Sequence, residues 1–287
     1  MSLRLDRFAS LYVVAPLKRL SSKGQASIPI LMYHSIADED ESGMHPYYRT
    51  ATSPAAFVAQ MEYLHRSGYR TCSLAEATDI LESPTGTRLK HVAITFDDGY
   101  GNFYREAFPV LQRFNFAATM FLPTEFIGEN ARQFKGRNCL TWAEVRELQR
   151  YGISFGSHTV SHPQLHSLGK DAIELELAHS KETIEDKAGR IVESFAYPYA
   201  FPQADTAFRN MLRESLRRAG YKNGVCTIVG RAGSHSDPLF MERLPVNNSD
   251  DAALLHAKLT GAYDWIGRSQ SLIKNARALG KRIRDQG

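Results

Sequence analysis

Cysteine is scarce: Cys72, Cys139 and Cys226 are the only three in 287 residues, far apart and without a CxxC pair. That count fits neither a disulfide framework nor a zinc–thiolate site, and a reducing compartment is the simpler setting. Long apolar runs are missing too. No stretch approaches the ~20 residues that a bilayer span needs. The first twenty residues are broken by Arg4, Asp6, Arg7, Lys18 and Arg19 and offer no clear cleavage site. A transmembrane segment and an export signal are therefore not expected, and the cytoplasm is the favoured location. Charge of one sign is not in large excess. The formal net charge is +4, and no Lys/Arg block interleaves with aromatic residues as a nucleic-acid groove requires. A Gly/Ser/Pro-rich linker and internal repeats are also lacking, so a single domain is expected.

What is present suits a well-filled core: 43% hydrophobic and 23% charged residues, near the globular average. Short apolar, β-rich runs recur at residues 28–33, 69–71, 91–96, 117–122, 153–158, 194–197, 222–228 and 241–246. Several show little polar alternation, as strands covered on both faces do. Helical stretches lie between them. Ser53-Pro54 provides an N-cap with proline at the first helical position, and Phe57, Met61 and Leu64 follow at helical spacing. Thr141 to Glu144 reads as a capping box. A further helix spans residues 171–187, and Gly152 and Gly220 sit where C-caps are wanted. Seven or eight strand–helix units in one chain predict an α/β fold with a parallel sheet, closed into a distorted (β/α)7–8 barrel. The expected layout is an N-terminal extension over 1–25, the barrel over 26–248 and a helical segment over 249–287. Barrel chemistry collects at the C-terminal ends of the strands, which filters the polar residues that follow.

Two constellations pass that filter. In the stretch Thr95-Phe96-Asp97-Asp98-Gly99, adjacent carboxylates leave an apolar strand before a glycine. Successive residues leaving a strand point differently, so one can bind a metal while its neighbour faces water. An Asp-Gly pair also suits a plain turn. In Ser157-His158-Thr159-Val160-Ser161-His162, two imidazoles four residues apart follow another strand. They can converge on one ion if the backbone turns helically there, or they can be two surface histidines in a loop. Together Asp98, His158 and His162 form a His/His/carboxylate set suited to a divalent ion with open positions, zinc first. Phe195-Ala196-Tyr197-Pro198-Tyr199 ends a third strand; its aromatics can line a sugar-sized cleft or belong to the core.

These three motifs, in this order and spacing, resemble the NodB-homology polysaccharide deacetylases, over about residues 28–246. Tyr33-His34-Ser35-Ile36, the stretch 57–68 and the form of the third motif look most like the poly-N-acetylglucosamine deacetylase branch. The resemblance implies a distorted barrel and a metal-dependent hydrolase that removes N-acetyl groups from the amino sugars of a polysaccharide or glycan conjugate. It implies Asp98, His158 and His162 as metal ligands, zinc as the ion, and Asp97 as the base that deprotonates the attacking water. The backbone N–H of Tyr199 would stabilise the oxyanion. A different C–N substrate on the same scaffold, such as a cyclic imide or ureide, and an inactive carbohydrate-binding protein are the competing readings.

The chain departs from the family's pattern at two places. Many members carry an arginine two residues before the proline of the third motif; here that position is Ala196, and Arg243 in the last predicted strand is the candidate replacement. The late histidine that serves the family as general acid has no straightforward counterpart. Leu254-Leu255-His256 imitates its pattern, but Ser249-Asp250-Asp251 reads as a helix start, which puts His256 on a surface. His34, at the end of the first strand, is the better-placed acid; a structural histidine is the alternative there. Basic, partly amphipathic termini (Leu3, Leu5, Phe8, Leu11 and Tyr12 with Arg4 and Arg7, and the tail 268–284) suit a peripheral membrane contact. Terminal helices packed on the barrel are the simpler expectation.

Overall fold

The computed structural model describes residues 4–20, 26–83 and 89–267; the basic tail singled out above lies outside them. Seven strands form a closed ring: β1 Ile30–Tyr33, β2 Lys90–Phe96, β3 Thr119–Leu122, β4 Ser154–Ser157, β5 Ser194–Ala196, β6 Asn223–Val229 and β7 Met241–Pro245. Each pairs in parallel with the next in sequence. β7 closes on β1, with Leu244 opposite Leu31. The run Tyr69–Thr71 is a strand as well. It pairs with the start of β2 and stays outside the ring, so the barrel has seven staves rather than eight.

Between the strands lie α1 Pro54–Arg66, α2 Leu74–Glu82, α3 Phe108–Phe114, α4 Trp142–Arg150, α5 Lys170–Ala188 and α6 Thr206–Arg218, and α7 Ala252–Leu259 follows the last strand. The caps are the predicted ones. Ser53 Oγ accepts from Ala56 N with Pro54 at the first turn, Thr141 and Glu144 form a capping box, and Gly152 and Gly220 take left-handed φ of 87° and 85° just past their helices.

Side chains alternate along the staves. Leu31, Tyr33, Ile94, Phe96, Met120 and Leu122 face the helices and join the large outer core. Ile30, Ala93, Phe121, Ala196, Val225 and Met241 fill the barrel itself, where Leu74, Ala77 and Leu81 of α2 join them. The inward column continues upward through Thr95 and Arg243, both fully buried. Polar groups thus begin where the apolar filling ends, at the C-terminal rim.

The N-terminal helix runs through Leu5–Phe8, a π-helical stretch Ala9–Val14 and Ala15–Leu20. It is tied to the last described helix and the turn after it. Arg7 pairs with Asp251, Tyr263 donates to Asp6, and Trp265 Nε1 donates to Ser10 Oγ. Its other face leaves Leu5, Phe8, Tyr12 and Leu17 more than half exposed. No helix among the described residues is long and apolar enough to cross a membrane.

Candidate active site

β2 delivers two carboxylates to the rim in different directions. Asp97 stays in line with the inward column, where Arg243 from β7 clamps it with two hydrogen bonds of 2.7 Å. Arg243 is itself fixed by donation to Cys226 O and Thr95 Oγ1. Both partners are buried, so this is a desolvated bidentate pair, the strong kind. Burial alone would raise the Asp97 carboxyl, but the Arg243 charge holds it below its usual range. The cation that Ala196 cannot offer to Asp97 is thus supplied by β7.

Asp98 then takes φ 73°, and Gly99 follows at 64°. This left-handed step turns the second carboxylate away from Arg243. Asp98 Oδ1 lies 3.2 Å from His162 Nε2 and 3.6 Å from His158 Nε2. Its Oδ2 accepts from Tyr100 OH at 3.0 Å and lies 3.8 Å from Lys135 Nζ. Burial opposes the Asp98 charge, yet the His162 hydrogen bond and the neighbouring cations keep the carboxyl far below its ordinary range.

The two histidines come from the end of β4, but not by a helical turn. Thr159 and His162 both adopt positive φ, 69° and 55°. The segment is held by side chains: His162 N donates to Thr159 Oγ1, and Glu176 of α5 accepts from the backbone N–H of Val160 and Ser161. The loop after β3 props it through Thr124 N to Thr159 O. The two imidazoles therefore meet because tertiary contacts impose a strained loop, where the sequence spacing alone suggested a turn of helix.

His158 Nδ1 bonds to Ala196 O at 2.8 Å. A carbonyl can only accept, so Nδ1 carries the proton and Nε2 offers a lone pair to the site. Burial pushes this imidazole down to about 4, so it is neutral near pH 7. One donor atom from each of Asp98, His158 and His162 lies within 4.8 Å of the others, and all three residues are buried. A neutral imidazole with a fixed tautomer, a second imidazole and an ionised carboxylate are the donor set a divalent ion takes, and these residues fit one.

The remaining candidates divide. His34 follows β1, and its Nε2 stands 4.0 Å from Asp97 Oδ2; burial lowers its proton affinity against the pull of both aspartates. Tyr199 sits on the rim at φ 59°, with its ring 4.5 Å from that of His162. Among the described residues its backbone N–H joins no hydrogen bond. Tyr197 is core, packed on Phe201 and Phe208. His256 lies on the exposed face of α7, bonded to Tyr63 OH, away from the cluster. Sequence reasoning gave no role to Tyr100, Glu176 or Lys135. Tyr100 directly follows the Asp-Asp motif, and its role emerges only once the turn brings its hydroxyl back onto Asp98. For Glu176 and Lys135 no local pattern exists.

The geometry is matched by likeness to known proteins. Residues 85–224 match the family model described as polysaccharide deacetylase. The Bacillus subtilis (strain 168) protein YxkH is 29% identical over 228 residues, which cover 79% of this chain and 74% of YxkH. The poly-beta-1,6-N-acetyl-D-glucosamine N-deacetylase of Escherichia coli (strain K12) is 30% identical over 138 residues, 45% of this chain but only 20% of that enzyme's length. Among solved structures, Streptococcus pyogenes deacetylase PplD in complex with acetate superposes with a TM-score of 0.72 at 26% identity, covering 82% of this chain and 99% of that one. A seven-stranded barrel bearing the two aspartates and two histidines on one rim, together with these likenesses, makes the chain similar in sequence and fold to the NodB-homology polysaccharide deacetylases.

Proposed function

We propose that this protein removes N-acetyl groups from the amino sugars of a polysaccharide or glycan conjugate, using a divalent ion, zinc first, held by Asp98, His158 and His162. One observation carries the reading: the buried Asp98–His158–His162 donor set lies beside an Asp97 that Arg243 keeps ionised. Bound there, the ion would supply Lewis acidity, acidifying water and polarising the amide carbonyl.

The chain's own groups supply the rest. Asp97, charged and fixed in direction, accepts the proton of the attacking water. The oxygen adds to the acetamide carbon, and the carbonyl electron pair moves onto its oxygen, towards which the free N–H of Tyr199 can donate. His34, within 4.0 Å of Asp97, protonates the departing sugar nitrogen as the C–N bond breaks, giving acetate and a free amine. The named E. coli relative makes β-1,6-linked poly-N-acetylglucosamine the first substrate to try.

Acetate release from a panel of N-acetylated glucosamine oligomers, beside turnover of small cyclic imides and ureides, tests the reading. Release from the oligomers alone is expected; turnover of the cyclic amides alone, or of neither class, overturns it. The exposed stripe of Leu5, Phe8, Tyr12 and Leu17 further supports a peripheral contact with a bilayer surface. Co-sedimentation with anionic vesicles should be lost in Phe8→Ser/Tyr12→Ser; binding that is absent in the wild type or unchanged in the variant rejects this contact.

A further inference from the structure

We propose that Lys135 touches the substrate: its ammonium donates to the acetamide oxygen as that oxygen takes up charge during attack. The inference rests on the deacetylase reading above. Lys135 stands at the tip of a hairpin formed by Gln133–Phe134 and Arg137–Asn138. Its two turn residues, Lys135 and Gly136, both have positive φ, 49° and 77°. Such a turn favours Asn-Gly or Gly-Gly, so a lysine at its first position is a disfavoured choice that local folding does not explain. Strain of this kind is a pointer to function when the surroundings hold it in place.

Here they do. Phe134 packs on Phe126 and on the His162 ring, with centroids 4.4 and 5.0 Å away. Arg137 pairs with Glu39 and donates to Tyr100 OH. Asn138 O accepts from Gly101 N. The base of the hairpin is thus bolted to the loop that carries Asp98, while its tip projects over the site.

The side chain reaches inward from that tip. Lys135 Nζ lies 4.5 Å from the Phe134 ring centroid and 5.1 Å from that of Tyr199, the residue whose N–H is free. It is 3.8 Å from Asp98 Oδ2, the oxygen turned away from the histidines. The ammonium therefore sits on the Tyr199 side of the donor set. A surface lysine with no task would extend into water, whereas this one is 43% exposed and held between two rings and a carboxylate. In the proposed step no proton leaves Lys135. The water oxygen–carbon bond forms, the carbonyl electron pair shifts to oxygen, and an ammonium N–H donates to that oxygen beside the Tyr199 N–H.

The test uses acetate, whose oxygens resemble the charged oxygen and whose binding needs no turnover. Acetate is titrated by calorimetry into zinc-loaded wild type and Lys135→Met, with metal content measured in both. Acetate binding about tenfold weaker, at equal metal content, is expected for the variant. With acetylated oligomers kcat should fall ~10²-fold with KM little changed, and Lys135→Arg should recover part of both losses. Equal acetate affinity in wild type and Lys135→Met overturns the proposal. So does a variant that loses metal or melts early in proportion to its lost affinity, because Lys135 would then only neutralise Asp98. A wild type that binds acetate through Lys135 yet deacetylates no glycan refutes the proposed function while leaving the contact established.

Discussion

Between Asp97 and Asp98 the backbone changes hand, and the two carboxylates acquire different partners: a buried guanidinium for the first, two imidazoles and a tyrosine hydroxyl for the second. Their substitutions should therefore differ in kind. Asp97→Asn keeps the shape and removes the base, so turnover should fall ~10²–10⁴-fold with metal content unchanged by elemental analysis. Asp98→Asn should lose metal first; equal metal loss in both variants would merge the two roles. The histidines invite a second pairing. His34→Ala should lower kcat on a similar scale and flatten the alkaline limb of the pH–rate profile, with metal retained. His256→Ala, whose ring bonds Tyr63 on the outer surface, should leave kcat within about twofold. A silent His34 variant, or an inactive His256 variant, would move the acid to α7. Asp97, Asp98, His158 and His162 were legible because each pair sits together at a strand end. Arg243 could be matched to Asp97 only by way of the missing arginine at Ala196, and Lys135 not at all, because its approach depends on a hairpin whose residues carry no turn signature beyond Gly136.

Strands and helices were the readable part, for a reason that also fixes how tightly they pack. All eight runs become strands, seven of them as staves whose two covered faces favour apolar residues. Ring closure was less legible: Tyr69–Thr71 reads as a strand like the others yet pairs only with the start of β2. The π-helical turns at Ala9–Val14 and Phe103–Ala107 and the short strand pairs outside the barrel rest on tertiary contacts and leave no periodicity to read. Inside the ring, space is set by single atoms. A Cβ at Gly156 would meet Phe121 Cε1 at 2.5 Å and Ser194 O at 2.8 Å, and neither the core ring nor the neighbouring backbone can move freely. Gly156→Ala should destabilise the fold by ~1–3 kcal/mol, read as a lower denaturant midpoint. It should also weaken metal retention, because His158 follows two residues later. An alanine variant with wild-type midpoint and metal content would mean that β3 and β4 slide apart more easily than a closed ring allows.

Across the whole molecule, the proposed ion ties the end of β2 to the end of β4, with β3 between them, so its removal should be felt as lost stability of the barrel. An ion at a free concentration of 100 times its Kd stabilises by ~2.7 kcal/mol, and each kcal/mol shifts the melting point by roughly 2–4 °C in a domain of this order. Chelation at pH 7 should thus lower the Tm by roughly 5–10 °C. The metal-free protein should then respond to acid in a defined window. Folded His158 stays neutral down to about pH 4, whereas an unfolded histidine takes up its proton near ~6.5. Between those values the unfolded chain binds more protons, so stability falls as pH drops through the window, by up to ~3 kcal/mol for this one group. Asp97 and Asp98, both depressed in the folded state, add losses in the same direction at lower pH. Scanning calorimetry of wild type and His158→Ala/His162→Ala, with and without chelator, separates the contributions. The double variant should melt at one temperature whether or not chelator is present, and its metal-free form should lose less stability between pH 6.5 and pH 4. A wild type indifferent to chelator, or a double variant that still responds to it, would place the ion elsewhere and leave Asp98 with its two histidines as a structural cluster.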